Sequence, residues 1–191
     1  MIVVSDTSPI CYLILIEQID LLPRLYGQVV IPQAVRDELT DERSPDQVQQ
    51  WIAQPPDWLK IQSVSLQPDA ELETLDVGEQ SAILLIEQLE ADLLIVDEMV
   101  GRRIARSRGL RVIGTLGILE EAGRLGWIDL SMVLGQLQQT TFRVSEQLIQ
   151  QILERYRSQR WVSQYWSIAR LAKLPGRPLR ISSQWKNAIW I

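Results

Sequence analysis

The sequence predicts an α/β fold in which a mostly parallel central sheet is flanked by helices. Three observations carry this prediction. Short β-branched and apolar runs recur at Ile2–Val4, Gln28–Ile31 and Leu93–Val96, and such runs suit strands buried on both faces. Segments whose apolar residues follow helical spacing stand between them. Glycines and helix-capping residues mark the joints. Strands alternating with helices form a parallel sheet covered on both sides.

In chain order, Ile2 to Val4 reads as the first strand, and Ser8-Pro9 reads as an N-cap followed by proline at the first helical position. Gln28 to Ile31 gives a second strand, after which Pro32 opens a helix carrying Val35, Glu38 and Leu39. Residues 41–57 form a polar connection with a short helix around Val48 to Ile52, and Leu59 to Val64 suits another strand. From Gly78 the positions Ala82, Ile83, Leu85, Ile86 and Leu89 follow helical spacing and lead into the apolar strand Leu93 to Val96. Met99 to Arg108 is a basic helix closed by Gly109, followed by a strand at Leu110 to Ile113. Thr115 suits the N-cap of a helix from Leu116 to Arg124 that Gly126 terminates. Ser145 caps an amphipathic helix running to Tyr156.

Composition narrows the chemistry. The chain has 191 residues, of which 46% are hydrophobic and 23% charged, an ordinary globular balance. Its longest apolar run, Ile10 to Ile16, is far shorter than the roughly 20 residues a bilayer span needs, and no signal-like leader is evident, so a cytoplasmic protein is expected. Cys11 is the only cysteine, which excludes an internal disulfide and a cysteine-based zinc site and reads as an inert buried thiol. There is no histidine. That absence removes Ser-His-Asp and Cys-His nucleophile systems, histidine acid-base cleavage of RNA, and the His-containing zinc hydrolases. What remains is carboxylate chemistry.

Charge divides the chain. Residues 1–154 hold all 24 acids and 11 basic residues, whereas 155–191 hold eight basic residues and no acid. The expected organisation is a domain over 1–157 and a basic, Trp-rich extension over 158–191 that contains Trp161, Tyr165, Trp166, Trp185 and Trp190. Basic and aromatic groups together suit single-stranded nucleic acid, but they suit an anchor against protein equally.

Ligands in parallel α/β sheets bind beyond the carboxyl ends of the strands. Asp6 follows Ile-Val-Val-Ser and Asp97 follows Leu-Leu-Ile-Val, which places both at that edge. Glu38 lies near the apolar boundary of its helix, and Glu79 stands at the start of another. Taken alone, Asp6 and Asp97 read equally as caps of the next helix, Glu38 reads as a solvated acid, and Glu79 reads as a carboxylate favoured by the helix dipole; Glu87, farther along its helix, is assigned to solvent. Clustered carboxylates repel, and a bound divalent cation relieves that repulsion. Oxygen ligands suit magnesium or manganese, which activate water and offset charge at a phosphodiester.

The segments Ser5-Asp6-Thr7-Ser8-Pro9, Ile31-Pro32-Gln33-Ala34-Val35-Arg36-Asp37-Glu38-Leu39, Gly78-Glu79-Gln80-Ser81-Ala82, Val96-Asp97-Glu98 with Gly101-Arg102-Arg103, and Ile113-Gly114-Thr115-Leu116-Gly117 together resemble the PIN-domain family. Within it, the chain is similar to a prokaryotic branch that looks like the toxins of virulence-associated type toxin-antitoxin pairs. The resemblance covers about residues 2–155. It implies a PIN-like three-layer fold and magnesium- or manganese-dependent cleavage of RNA, and single-stranded RNA is the substrate expected here. It also implies a small antitoxin partner and a dimeric toxin. Residue by residue, it implies metal-binding, catalytic carboxylates at Asp6, Glu38, Glu79 and Asp97, with Glu98 as the alternative to Asp97, and a supporting hydroxyl at Ser8.

Arg102 and Arg103, with Arg106, Arg108 and Arg111, suit contacts to RNA phosphates, and Thr115 follows Gly114 where a phosphate could approach a helix N-terminus. A solvated helix face and a packing turn are the plain alternatives. A receiver-type phosphoacceptor would need a lysine beyond the last strands, and Lys60 is the only lysine before the extension. A dehalogenase-like phosphatase would need a second aspartate where this chain has Ser8. The remaining non-enzymatic alternative is a PIN-fold module that binds RNA or protein without cutting it.

Overall fold

The computed structural model describes residues 1–171, with side chains through Ser158. The chain divides into two units, Met1–Tyr156 and Arg157–Ile191, and the fold described is that of the first. The expectations for the aromatic side chains of the 158–191 extension lie outside the described residues.

Five parallel strands form one sheet in the order β3-β2-β1-β4-β5, where β1 is Val3–Ser5, β2 Val29–Pro32, β3 Leu59–Gln62, β4 Leu93–Ile95 and β5 Val112–Ile113. The first three strands build outward in one direction, and the chain then crosses back to lay β4 against the other side of β1. This reversal puts the carboxyl ends of β1 and β4 side by side, with Ser5 opposite Ile95 and the Asp6 backbone N–H donating to the Ile95 carbonyl at 2.9 Å. Such a switch point is where open α/β sheets leave a crevice.

Side chains alternate across the sheet with the period of two that strands impose. Val3, Val29, Ile31, Leu93 and Ile95 join one buried cluster, while Val4, Val30, Leu94 and Val96 join another on the opposite face. The first face is covered by α1 (Thr7–Leu15), α3 (Gln33–Thr40), α4 (Asp46–Ile52), α7 (Thr115–Arg124) and α8 (Leu130–Gln138), together with the start of α9 (Glu146–Leu171) and the short α2 (Leu21–Tyr26). The second face is covered by α5 (Val77–Gln88) and α6 (Met99–Ser107). The result is the three-layer PIN-like arrangement that the resemblance implies.

Local differences from the sequence reading have local causes. Helix α1 begins at Thr7 with Asp6 as its N-cap, so Ser8-Pro9 lies within the first turn, where a missing proline N–H costs nothing because no intrahelical partner exists there. Gly114, not Thr115, is the N-cap of α7, because the Thr115 hydroxyl is engaged elsewhere. Strand β5 starts at Val112 because Gly109, at φ 77°, and the bond from the Leu110 N–H to the Ala105 carbonyl keep those residues in the closing turn of α6. Strand β3 stops at Gln62, where its register with Pro32 of β2 ends. Helices α2 and α8 were not anticipated; α8 is announced by Asp129, whose side chain accepts from the Ser131 and Met132 N–H groups. Cys11 is half-buried rather than enclosed, and desolvation raises its thiol.

No helix among the described residues is long and apolar enough to cross a membrane.

Candidate functional site

The strand-end rule holds for Asp6. It follows β1, caps α1 with extended backbone, and is 3% exposed although its side chain is a carboxyl group. Burial raises its carboxyl well above the usual range, the Thr7 backbone N–H lowers it, and the nearby charges of Asp76, Glu79 and Glu38 raise it further. Those three charges locate the site, because they come from two segments distant from Asp6 in sequence, the start of α5 for Asp76 and Glu79 and α3 for Glu38.

Glu79 lies in the first turn of α5 and is 4% exposed. Asp76, the N-cap of α5, accepts from the Glu79 backbone N–H at 2.8 Å, which fixes where the helix starts and turns Glu79 inward. Burial first, then the charges of Asp76, Glu98 and Glu38, push the Glu79 carboxyl up to about 7. Its Oε1 atom is buried and has no hydrogen-bond partner among the described residues. A buried carboxylate oxygen without a donor is costly, and a cation removes that cost. Glu38 reaches the same region from α3, where the Thr7 hydroxyl donates to its Oε2. The hydroxyl serving a site carboxylate is therefore that of Thr7, while Ser8 lies beside it in α1 and is half-buried.

Asp97 is placed differently. It follows β4 as expected, but its two oxygens accept from Thr115, Oδ1 from the backbone N–H at 2.8 Å and Oδ2 from the hydroxyl at 2.6 Å. Burial raises its carboxyl, and the Thr115 bonds and the Arg102 charge lower it. The neighbouring Glu98 is exposed at the N-cap of α6, and it is Glu98 whose charge raises Glu79. The structure thus gathers Asp6, Glu38, Glu79, Asp76 and Glu98 electrostatically, with Asp97 tied to the start of α7. Asp76 escaped the sequence reading, although Asp76-Val77-Gly78-Glu79 carries the spacing of a helix-capping pair.

Two basic candidates and Thr115 have structural engagements. Arg102 donates to the Val96 carbonyl at 3.0 Å beside Asp97, and burial lowers its pKa. Thr115 is 0% exposed, and its backbone N–H and hydroxyl both donate to Asp97. Arg108 pairs with Asp69, and with Glu87 at 3.0 Å, so Glu87 is an ion-pair partner rather than a solvated acid. Arg103, Arg106 and Arg111 are exposed.

Among the described residues no group of three or more Asp, Glu, Cys or His side chains is arranged as a metal cage. Magnesium does not demand one; it keeps several waters and is bound through one or two carboxylates together with substrate phosphates. The all-oxygen donor set and the orphaned Glu79 Oε1 fit such an ion.

No curated protein matches the chain. Among solved structures the chain is similar to a PilT N-terminus domain protein from the archaeon Sulfolobus solfataricus P2, at 14% identity and a TM-score of 0.44, over 76% of this chain and 100% of that one. A PIN-domain family matches residues 2–158. Over that span the chain belongs to the PIN-domain family, whose members are generally nucleases that use divalent metals.

Proposed function

We propose that the chain is a divalent-metal-dependent endoribonuclease acting on single-stranded RNA, and that it serves as the toxin of a toxin-antitoxin pair. The observation that carries the metal-dependent reading is the burial of Asp6 and Glu79 beside one another, with further acids around them and an unbonded Glu79 oxygen. Without a cation both groups resist ionisation; with one, their charge becomes useful.

Asp6 and Glu79 would hold magnesium or manganese, with Glu38 and Glu98 completing the acidic surround. When bound, the ion lowers the pKa of a water and offsets charge on the phosphodiester. Asp6 is rigid because its N–H is tied to Ile95 and its backbone caps α1. Thr7 orients Glu38, and Asp76 orients Glu79 through the helix start. Asp97 braces the β4–α6 turn against α7 and so places Glu98. Exposed Arg103, Arg106 and Arg111 supply cations for the RNA backbone.

The toxin assignment and its small antitoxin partner rest on the resemblance to toxin-like PIN proteins. The test is cleavage of an unstructured RNA in magnesium or manganese with chelator as control, alongside expression of the chain in a bacterial host. Metal-dependent cleavage with growth arrest supports both parts. Cleavage in chelator refutes the metal reading, and cleavage without growth arrest refutes the toxin reading alone.

A further inference from the structure

We infer that Gly78 and Gly101 are positioning residues for the candidate metal centre, each keeping open the space that one site carboxylate occupies. The inference rests on the metal-dependent reading of the site. Gly78 stands in the first turn of α5 and Gly101 in the first turn of α6. Glycine weakens a helix relative to alanine, so its presence there asks for a local reason. The backbone supplies none, since the positive-φ glycines are Gly27, Gly109 and Gly126.

Side-chain space does supply one. A Cβ at Gly78 would lie 2.7 Å from Glu38 Oε1 and 2.9 Å from its Cδ, with Oε2 nearer still. A Cβ at Gly101 would lie 2.8 Å from Glu79 Oε1 and 3.3 Å from its Cδ. Glu79 Oε1 is the same buried oxygen that has no hydrogen-bond partner. The two helices that carry these glycines thus present bare backbone to the carboxylates of Glu38 and Glu79.

In either alanine variant the group that yields is the carboxylate, because it ends a flexible side chain while the glycine is fixed in a helix. Glu38 would leave the Thr7 hydroxyl, and Glu79 would leave its place beside Asp6. The fold survives and the acids move. Gly135 in α8, whose added Cβ would meet nothing within 4 Å, is the control.

The experiment measures manganese affinity by calorimetry and thermal unfolding in chelator for wild type, Gly78→Ala, Gly101→Ala and Gly135→Ala. Gly78→Ala is also placed in a Glu38→Ala background and Gly101→Ala in a Glu79→Ala background. Groups that orient metal ligands typically change affinity by about 10- to 100-fold, and a loss of that size is expected for Gly78→Ala and Gly101→Ala. Gly135→Ala should bind as wild type. With the partner acid removed, each site alanine should cost no further affinity and should raise the melting temperature more than it does in the wild-type background.

Wild-type affinity in both site alanines, or a loss that persists without the partner acid, overturns the inference. A wild-type chain that binds no manganese overturns the metal reading itself. The chelator melting cycle then still decides whether each glycine is coupled to its carboxylate, and additive melting shifts would refute the seats independently.

Discussion

Thr115 donates both its backbone N–H and its hydroxyl to the carboxylate of Asp97, at 2.8 and 2.6 Å, with the threonine wholly buried. The pair joins the end of β4 to the start of α7. Thr115→Val keeps the shape and removes the hydroxyl, which leaves one Asp97 oxygen short of a donor. Losing a buried hydrogen-bond partner costs about 1–3 kcal/mol, so chemical denaturation should show a midpoint lowered to match. An unchanged midpoint would mean that water replaces the hydroxyl at no cost.

The same pair separates the roles of Asp97 and Glu98. Glu98 acts on Glu79 electrostatically, whereas Asp97 is occupied by Thr115 and flanked by Arg102. Glu98→Gln should therefore weaken manganese binding with little change in stability, and Asp97→Asn should lower stability more than affinity. Calorimetric titration and thermal melts of the two variants check this. The reverse pattern would return Asp97 to the metal.

The buried acids make a pH signature. Asp6 and Glu79 both hold protons more tightly folded than unfolded, Glu79 with a folded value of about 7. Their contribution to stability is complete below the unfolded carboxylate range and is lost as pH rises through the folded values. Asp41, Asp69 and Glu121 have lowered values, and their contributions change only in more acidic solution. The melting temperature in chelator should therefore fall between about pH 5 and pH 7.5. Glu79→Gln should flatten that fall, and so should saturating manganese, which binds the ionised form. A melting temperature that climbs over this interval in chelator would contradict the shifts.

The sheet and the strand-end acids were legible because they depend on local pattern. Asp6 and Asp97 follow apolar runs, and Glu79 follows a glycine at a helix start. The orientation of those acids was not legible, because it is set by contacts distant in sequence. Asp97 turns to Thr115 eighteen residues on, and Arg108 reaches back to Glu87 and Asp69. The bond from the Thr7 hydroxyl to Glu38 was not legible either, because it joins residues thirty-one apart in sequence. Asp76 is legible in the sequence, since its spacing to Glu79 is that of an N-cap and the third residue of its helix.

Asp6 should be the least replaceable acid for RNA cleavage. Among the acids gathered at the site it is the one fixed at a strand end, with its N–H bonded to Ile95, and it is buried beside the charges of Glu79, Glu38 and Asp76. Asp6→Asn preserves size and removes one charge, so the fold should persist and chelator melts should show equal or greater stability, because a buried repulsive charge has gone. Metal affinity should fall. Removing one preorganised electrostatic contact typically costs about 100- to 1000-fold in rate, and cleavage of an unstructured RNA in manganese should drop by that order. Glu38→Gln and Glu79→Gln should be damaging for the same reason. Asp57→Asn, at an exposed position in the turn before β3, should cut as wild type. An Asp6→Asn protein that cleaves at the wild-type rate would remove Asp6 from the chemistry, and with it the account of why this carboxylate is buried.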